Sequence, residues 1–290
     1  MRFSIIIPTH NRKDLLRHCL EAVTCQDYPD YEVIVVDDGS TDGTGEMVQH
    51  EFPQVHYLRQ EPNRGPAAAR NRGIEAATGQ IIAFTDDDCR VPPDWLSRLA
   101  DGYQRYPQVV GVGGYLEAPE EVLASNIFAQ YERYMARHMY HVSEEECLDG
   151  FECPAGGTNN MSYRRAVLQE VSGFDESFPY AAGEDADLKW RICEQGHPIL
   201  FIPVRAIHLQ SYCWDTFSRQ CYVRGRGRTF FEAKHHRKPG YAVIGLRLAR
   251  RFLSFTADVI TMPDRRLAVV KLADGVYGCL GQWAALRGEK

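Results

Sequence analysis

Nowhere in this 290-residue chain is there a run of apolar side chains approaching the roughly 18 or more that a bilayer-spanning helix needs. A membrane-spanning segment is therefore not expected. The short apolar run at the start, Phe3 to Pro8, is followed by no small-residue cleavage site. It reads as a first β-strand, not as a secretory leader. The nine cysteines are odd in number and irregularly spaced, with no CxxC pair. That argues against a disulfide framework and a structural zinc site, and for reduced thiols in a cytoplasm. Low-complexity tracts and internal repeats are also missing, and with 44% apolar and 25% charged residues the composition is that of a globular protein. No Gly-rich basic loop follows the first strand, where Pro8-Thr9-His10-Asn11 stands instead. That weighs against a nucleotidylyltransferase. An Arg-Gly tract at Arg224 to Arg228 has no interleaved aromatics and no accompanying nucleic-acid module, so nucleic acid is not an expected partner.

What is present is an uneven charge. Residues 219–290 hold 15 Lys+Arg against 5 Asp+Glu, whereas the rest of the chain holds 18 against 34. A basic C-terminal segment behind an acidic body fits an anionic surface, though a solvated basic face fits equally well.

The first half alternates strand and helix. Apolar runs predict strands at Phe3–Ile7, Glu32–Asp37, Val55–Arg59 and Ile81–Thr85. Helical spacing predicts helices at Arg12–Tyr28, Thr41–His50 and Pro66–Thr78. The last has Pro in its first turn and Gly79 beyond its end. Such alternation predicts an α/β fold with a mostly parallel sheet flanked by helices. Ligands of these sheets bind at the carboxyl ends of the strands. Those ends carry Pro8 to Asn11, Asp37-Asp38 and Asp86-Asp87-Asp88. The second half is less regular. Helices are expected at Asp94–Tyr106 and Val122–Met139, strands at Val109–Tyr115, Asn159–Tyr163 and Ile199–Ile202, and a basic helical pattern beyond Trp214. A weak boundary falls near Lys238-Pro239-Gly240.

Three adjacent carboxylates at a strand end repel one another unless a cation is close. Asp86, Asp87 and Asp88 therefore suit a hard divalent cation that completes its shell with substrate phosphates. The alternative is an acidic loop ahead of the next helix. Asp38 is placed to accept a hydrogen bond from a nucleobase or a ribose hydroxyl, or to serve in a turn. Glu184 and Asp185 open a helix, where the dipole favours carboxylates. Spacing alone favours that capping role over general-base catalysis. A lone His208 after a strand is more often structural than a ligand. The Arg-Gly tract reads as flexible cationic backbone able to fold over phosphates.

Five segments in register carry a resemblance: SIIIPTHN from Ser4, EVIVVDDGSTD from Glu32, NRGPAAARNRG from Asn63, FTDDD from Phe84 and GED from Gly183. Together they resemble glycosyltransferase family 2 and its GT-A fold over roughly residues 3 to 230. The resemblance implies a catalytic domain over residues 1–238, divided into a nucleotide-sugar half (1–115) and an acceptor half (116–238). A basic helical C-terminal extension (239–290) would follow. It implies that Asp38 reads the nucleobase, and that Pro8, Thr9, His10, Asn11 and Arg64 line the donor pocket. Asp86 and Asp87 would face the donor, and Asp86 and Asp88 would ligate Mn²⁺ or Mg²⁺, with His208 as a further ligand. Asp185 matches the catalytic base, with Glu184 beside it. Gln220 and Arg224 match a Gln–Arg motif of larger members, but Gly225 replaces the tryptophan of processive ones.

The activity so implied is inverting, non-processive transfer from a nucleotide-diphosphate sugar, with UDP favoured. The acceptor would be a sugar, lipid-linked or other hydroxyl, and a dimer is compatible. The chain is expected in the cytoplasm. Ile244, Leu248, Phe252 and Phe255 can share one helix face, which suits either peripheral contact with an anionic membrane or ordinary packing on the catalytic domain or a second subunit. The competing reading is a non-catalytic nucleotide-sugar binding protein.

Overall fold

The structure, a computed structural model, describes all residues except Tyr180, Arg237, Lys238, Glu289 and Lys290. The expected 238/239 boundary therefore lies outside the described residues. The chain divides into two compact units. The first holds Met1–Glu117, Tyr140–Glu176 and Asp185–Leu209; the second holds Ala118–Met139, Ser177–Glu184 and Gln210–Lys290.

The first unit is built on a sheet. Its parallel part is β1 (Phe3–Thr9), β2 (Tyr31–Asp37), β3 (His56–Arg59) and β4 (Ile81–Phe84), in the order β3-β2-β1-β4. The register sets Thr9 opposite Asp37 and Ile6 opposite Phe84. The polar residues that follow β1, β2 and β4 thus emerge at one sheet edge. Beyond β4 the sheet is mixed. It runs on through β8 (Met161–Arg164), β6 (Gly111–Glu117), β9 (Ile199–His208) and the short β5 (Cys89–Arg90), while β7 (Cys147–Asp149) pairs with β9. Strand β8 is antiparallel to both neighbours, whereas β6 and β9 are parallel.

The period-2 alternation of a strand explains why both faces are apolar. Phe3, Ile5, Ile7, Val33 and Val35 join one core with Leu16, Leu20, Trp95 and Leu99. These come from helices α1 (Lys13–Val23) and α4 (Trp95–Arg105), on the side that α2 (Thr44–Glu51) also covers. Ile6, Ile34 and Val36 join the other core with Ala69 of α3 (Pro66–Ala76), Leu168 of α7 (Arg165–Glu170), and Leu188 and Ile192 of α8 (Glu184–Glu194).

The second unit is helical: α5 (Glu120–Leu123), α6 (Ile127–Met139), α9 (Trp214–His235), α10 (Tyr241–Thr261) and α11 (Arg265–Arg287). Three expectations change here. The single helix over Val122–Met139 is two, because the Asn126 side chain accepts from the backbone N–H of Phe128 at 2.9 Å and restarts the helix. The Arg-Gly tract is not flexible backbone but the middle of α9. Its glycines permit close approach, since a Cβ on Gly225 would stand 2.1 Å from the Gly278 carbonyl oxygen of α11. Of the proposed membrane-facing residues, Ile244 is buried, and Leu248 and Phe255 are half-buried. Phe255 packs on the inner cluster with Tyr131 and Phe217, so only Phe252 of that set lies outward. Among the described residues no helix is long and apolar enough to cross a membrane.

Candidate functional site

The loop after β2 forms around two carboxylates. Asp37 is fully buried and serves the turn: it accepts from the Ser40 N–H at 2.7 Å and from the Tyr57 hydroxyl at 2.5 Å. Gly39, at φ +82°, turns the chain back toward the loop before α3. There Asp38 collects three donors. One carboxylate oxygen accepts from the Gln60 side chain (2.5 Å) and the Arg64 N–H (2.8 Å), and the other accepts from the Gly65 N–H (2.7 Å). Gly65 itself sits at φ +87°, a conformation only glycine adopts freely. A carboxylate offers about four acceptor positions, so three are filled and one remains for a ligand.

The loop after β1 is fastened to the same turn. His10 Nδ1 lies 2.9 Å from the Asp38 carbonyl oxygen. Asn11 donates from its N–H to Ser40 Oγ at 2.9 Å and accepts at its side chain from the Thr41 N–H at 2.8 Å. Pro8 is half-buried in β1, and Thr9 is buried. A cleft of about 460 Å³ runs beside this turn, lined by Ser40, Thr41, Tyr57 and Arg59 among others.

The acidic triplet follows β4, and each carboxylate is paired with a cation, Asp87 and Asp88 with the same one. Asp87 is buried, accepts from the Thr9 hydroxyl at 2.8 Å and pairs with Arg12 at 2.9 Å. Burial pushes its pKa up to about 6 against the opposing charge of Arg12. Arg12 also reaches Asp88 at 2.9 Å, and His208 Nε2 lies 3.5 Å from the same Asp88 oxygen. Burial raises the Asp88 pKa, but the His208 bond and the charges of His208 and Arg12 outweigh it and hold Asp88 below the usual range. The β5–β9 pairing sets this contact, because it places Cys89 opposite His208. Asp86 pairs with Arg70 at 2.9 Å. Arg70 is buried and packs over Phe174, 5.6 Å from the ring centroid.

Asp185 lies in the first turn of α8, as the sequence placed it. It is half-buried, and loss of water around its carboxylate raises its pKa, with Arg70 opposing and Asp86 adding to the rise. Arg70 thus acts on both Asp86 and Asp185, tying the acidic triplet to the base candidate. Glu184 is buried at the first position of the helix. The segment before α8 is also anchored: Asp187 pairs with Arg191 at 2.8 Å, and Arg191 donates to the carbonyls of Val171 and Gly173. Arg64 reaches Glu176 on that segment at 2.7 Å. Asn71 holds the same Glu176 at 2.9 Å.

The first unit therefore brings together Thr9, Asp86, Asp87, Asp88, Asp185 and His208, and beside them His10, Asn11, Asp38 and Arg64. Gln220 and Arg224 lie on α9 in the second unit, where Gln220 donates to Gln210 and Arg224 stands 3.9 Å from Glu132. Two residues that matter here were not singled out by sequence reasoning, Arg12 and Arg70. Both read as ordinary helix arginines. The signal that finds them is electrostatic: three adjacent carboxylates require cations from elsewhere in the chain.

No group of three or more His, Cys, Asp or Glu among the described residues is arranged to hold a metal ion by protein ligands alone. A hard divalent ion bound to a diphosphate takes only one or two protein carboxylates. The oxygens of Asp86 and Asp88, with the His208 imidazole against Asp88, are a donor set that suits such an ion.

The comparisons with known proteins show the family and the fold. The family model described as Glycosyl transferase family 2 matches residues 4–172. Glycosyltransferase AglE of Haloferax volcanii is 44% identical over 100 residues, which is 33% of each chain. The glucosyl-dolichyl phosphate glucuronosyltransferase of the same organism is 29% identical over 180 residues, 60% of this chain and 56% of that one. The chain thus spans a third to somewhat over half the length of these curated relatives. A solved mannosyltransferase, PcManGT from Pyrobaculum calidifontis in complex with GDP-Man and Mn²⁺, superposes with a TM-score of 0.70 at 20% identity. That match covers 100% of this chain and 88% of that one. Staphylococcus aureus TarS 1-349 in complex with UDP gives 0.59 at 17% identity, covering 99% and 92%. With more than half its length matched by the family model and its fold shared with these solved structures, the chain belongs to glycosyl transferase family 2.

Proposed function

We propose that the protein transfers a sugar from a nucleotide-diphosphate donor to an acceptor hydroxyl with inversion, using Asp185 as general base. The observation that carries this reading is the convergence at one sheet edge of Asp38, the Asp86–Asp88 triplet and Asp185, with Arg70 acting on both Asp86 and Asp185. The GDP-Man and UDP bound to the two solved relatives support a nucleotide donor. UDP is the favoured base-bearing group. Residues 1–115 would hold the donor and 116–238 would take the acceptor, with 239–290 as the basic extension.

Asp38 has one acceptor position left for a base or ribose donor, and three hydrogen bonds fasten its loop to the carboxylate. Pro8, Thr9, His10 and Asn11 wall the same pocket. Arg64 is exposed and its guanidinium pairs with Glu176, a partner it can exchange for a donor phosphate, which an arginine binds bidentately. Asp86 and Asp88, with His208, would hold Mn²⁺ or Mg²⁺, which when bound offsets the charge of the leaving diphosphate. Arg12 and Arg70 supply positive charge to the triplet throughout.

In the reacting complex the acceptor oxygen forms its bond to the anomeric carbon on the face opposite the diphosphate. The bond to the diphosphate breaks with its electron pair, and the hydroxyl proton passes to a carboxylate oxygen of Asp185. One displacement inverts the centre. The raised pKa of Asp185 brings it nearer to neutrality, where a base abstracts a proton best, and such a base contributes about 10²–10⁴ in rate. The test is transfer from a panel of UDP-, GDP- and dTDP-sugars to simple glycoside acceptors. Product of opposite anomeric configuration, lost in Asp185→Asn while the donor still binds, supports the reading. Retained configuration, or transfer unaffected by Asp185→Asn, refutes it.

A further inference from the structure

Helix α10 is turned inside out with respect to an ordinary surface helix. Two of its charged residues, Arg247 and Asp258, point inward and are paired: Arg247 with Glu232 of α9 at 2.9 Å and with Gln282 of α11, and Asp258 with Lys271 of α11 at 2.7 Å. Its outward residues are mostly apolar, with Arg250, Thr256 and Thr261 as the polar exceptions. Ala242, Leu246, Ala249, Leu253, Ala257 and Ile260 recur at three- and four-residue steps, and all six are exposed. Leu246 is 62% exposed, Leu253 78% and Ile260 82%. Phe252 and Tyr241 on one flank and Val243 on the other are exposed as well. At 100° per residue these side chains cover an arc of about 200°. Arg250 alone among the exposed residues of α10 is charged.

We propose that this face of α10 lies on the surface of an anionic lipid bilayer. A contiguous apolar patch of this kind marks an interaction site, and three features choose the occupant. First, the arc is too broad for the narrow seam that a single partner helix covers. Second, an acidic residue is missing from it. A two-fold pair of α10 helices would set arginine near arginine with no carboxylate between them, whereas a phosphate headgroup complements Arg250. Third, residues 241–288 carry seven basic and three acidic side chains. The three acids are all engaged, Asp258 with Lys271, Asp264 with Arg266, and Asp274 with Tyr131. The charge left over is positive, including the exposed Arg265 at the start of α11. The helix is about 31 Å long at 1.5 Å per residue, and it does not qualify as a span. It would therefore lie in the interfacial plane with its apolar side among the upper acyl chains.

The experiment is co-sedimentation of the full chain with vesicles of phosphatidylcholine alone and of phosphatidylcholine mixed with phosphatidylglycerol. The wild type should bind the mixed vesicles, and more weakly as salt rises. Leu253→Ser with Ile260→Ser should abolish binding, and both positions are exposed enough to leave the urea midpoint unchanged. Arg250→Glu should weaken binding roughly 30-fold, at about 1 kcal/mol for each unit of charge near the surface. No binding to the mixed vesicles at low salt overturns the proposal, as does binding that survives the double substitution. So does a concentration-dependent dimer that the same substitutions break without vesicle binding, which would make a second copy the occupant.

Discussion

Replacing Asp38 by asparagine keeps the size of the side chain and removes one acceptor. The native carboxylate accepts from Gln60 and the Arg64 N–H on one oxygen and from the Gly65 N–H on the other. An amide can aim its oxygen at the first pair, which turns its NH₂ toward the Gly65 N–H, donor against donor. A donor left unsatisfied costs about 1–3 kcal/mol, and each remaining bond loses about 1 kcal/mol when the acceptor is no longer charged. Arg64 is exposed, so water recovers part of this. The expected net loss is about 2–4 kcal/mol, felt first by the loop over residues 60–65. Amide hydrogen exchange reads it: the Arg64 and Gly65 amides should exchange at least tenfold faster, while amides of β1 keep their protection. Donor affinity should fall with the loop. Unchanged exchange at both amides, with unchanged urea stability, would refute the reasoning, because it would mean that Asp38 does not organise the loop.

Other perturbations have equally definite outcomes. Asp185 has a raised folded-state pKa, so its proton contributes stability at low pH that is lost as pH rises through the folded value. Asp185→Asn should accordingly be more stable than wild type at neutral pH in urea melts, while transfer falls about 10²–10⁴-fold. In the wild type the rate should drop as pH falls through that same raised pKa. Gly225→Ala brings a Cβ to 2.1 Å from the Gly278 carbonyl and should lower stability by about 1–3 kcal/mol or more, seen as a reduced urea midpoint. Arg12→Met leaves Asp87 and Asp88 without their shared cation. It should weaken diphosphate-sugar binding in calorimetry when no divalent ion is added, and added Mn²⁺ should restore part of the loss.

The half of the chain with two clear periodicities was legible. Strands β1, β2 and β4 are each built on an apolar run, Ile5–Ile7, Val33–Val36 and Ile81–Phe84, and the polar residues that end them point to one sheet edge by their position in the chain alone. The base candidate was legible only through the resemblance, since Glu184-Asp185 at a helix start is what capping alone would produce. What escaped was decided by tertiary partners. Arg12 and Arg70 look like solvated helix residues until the triplet is placed against them. Gly225 looks like flexible backbone until α11 is seen to pack against it, and Gly227 until Ala182 is seen against it. The outward apolar face of α10 escapes sequence reading for a similar reason. Ile244, Leu248 and Phe255 are larger and more regular than the alanine-interleaved face opposite, and periodicity alone does not tell an inward face from an outward one.

The most direct test of the central claim is a donor-panel assay of wild type and Asp185→Asn, reading binding and transfer separately with and without Mn²⁺. One nucleotide-diphosphate sugar should bind both proteins, and only the wild type should transfer it, giving a product of inverted configuration. Equal transfer by both proteins, or binding of none of the donors, would contradict that claim.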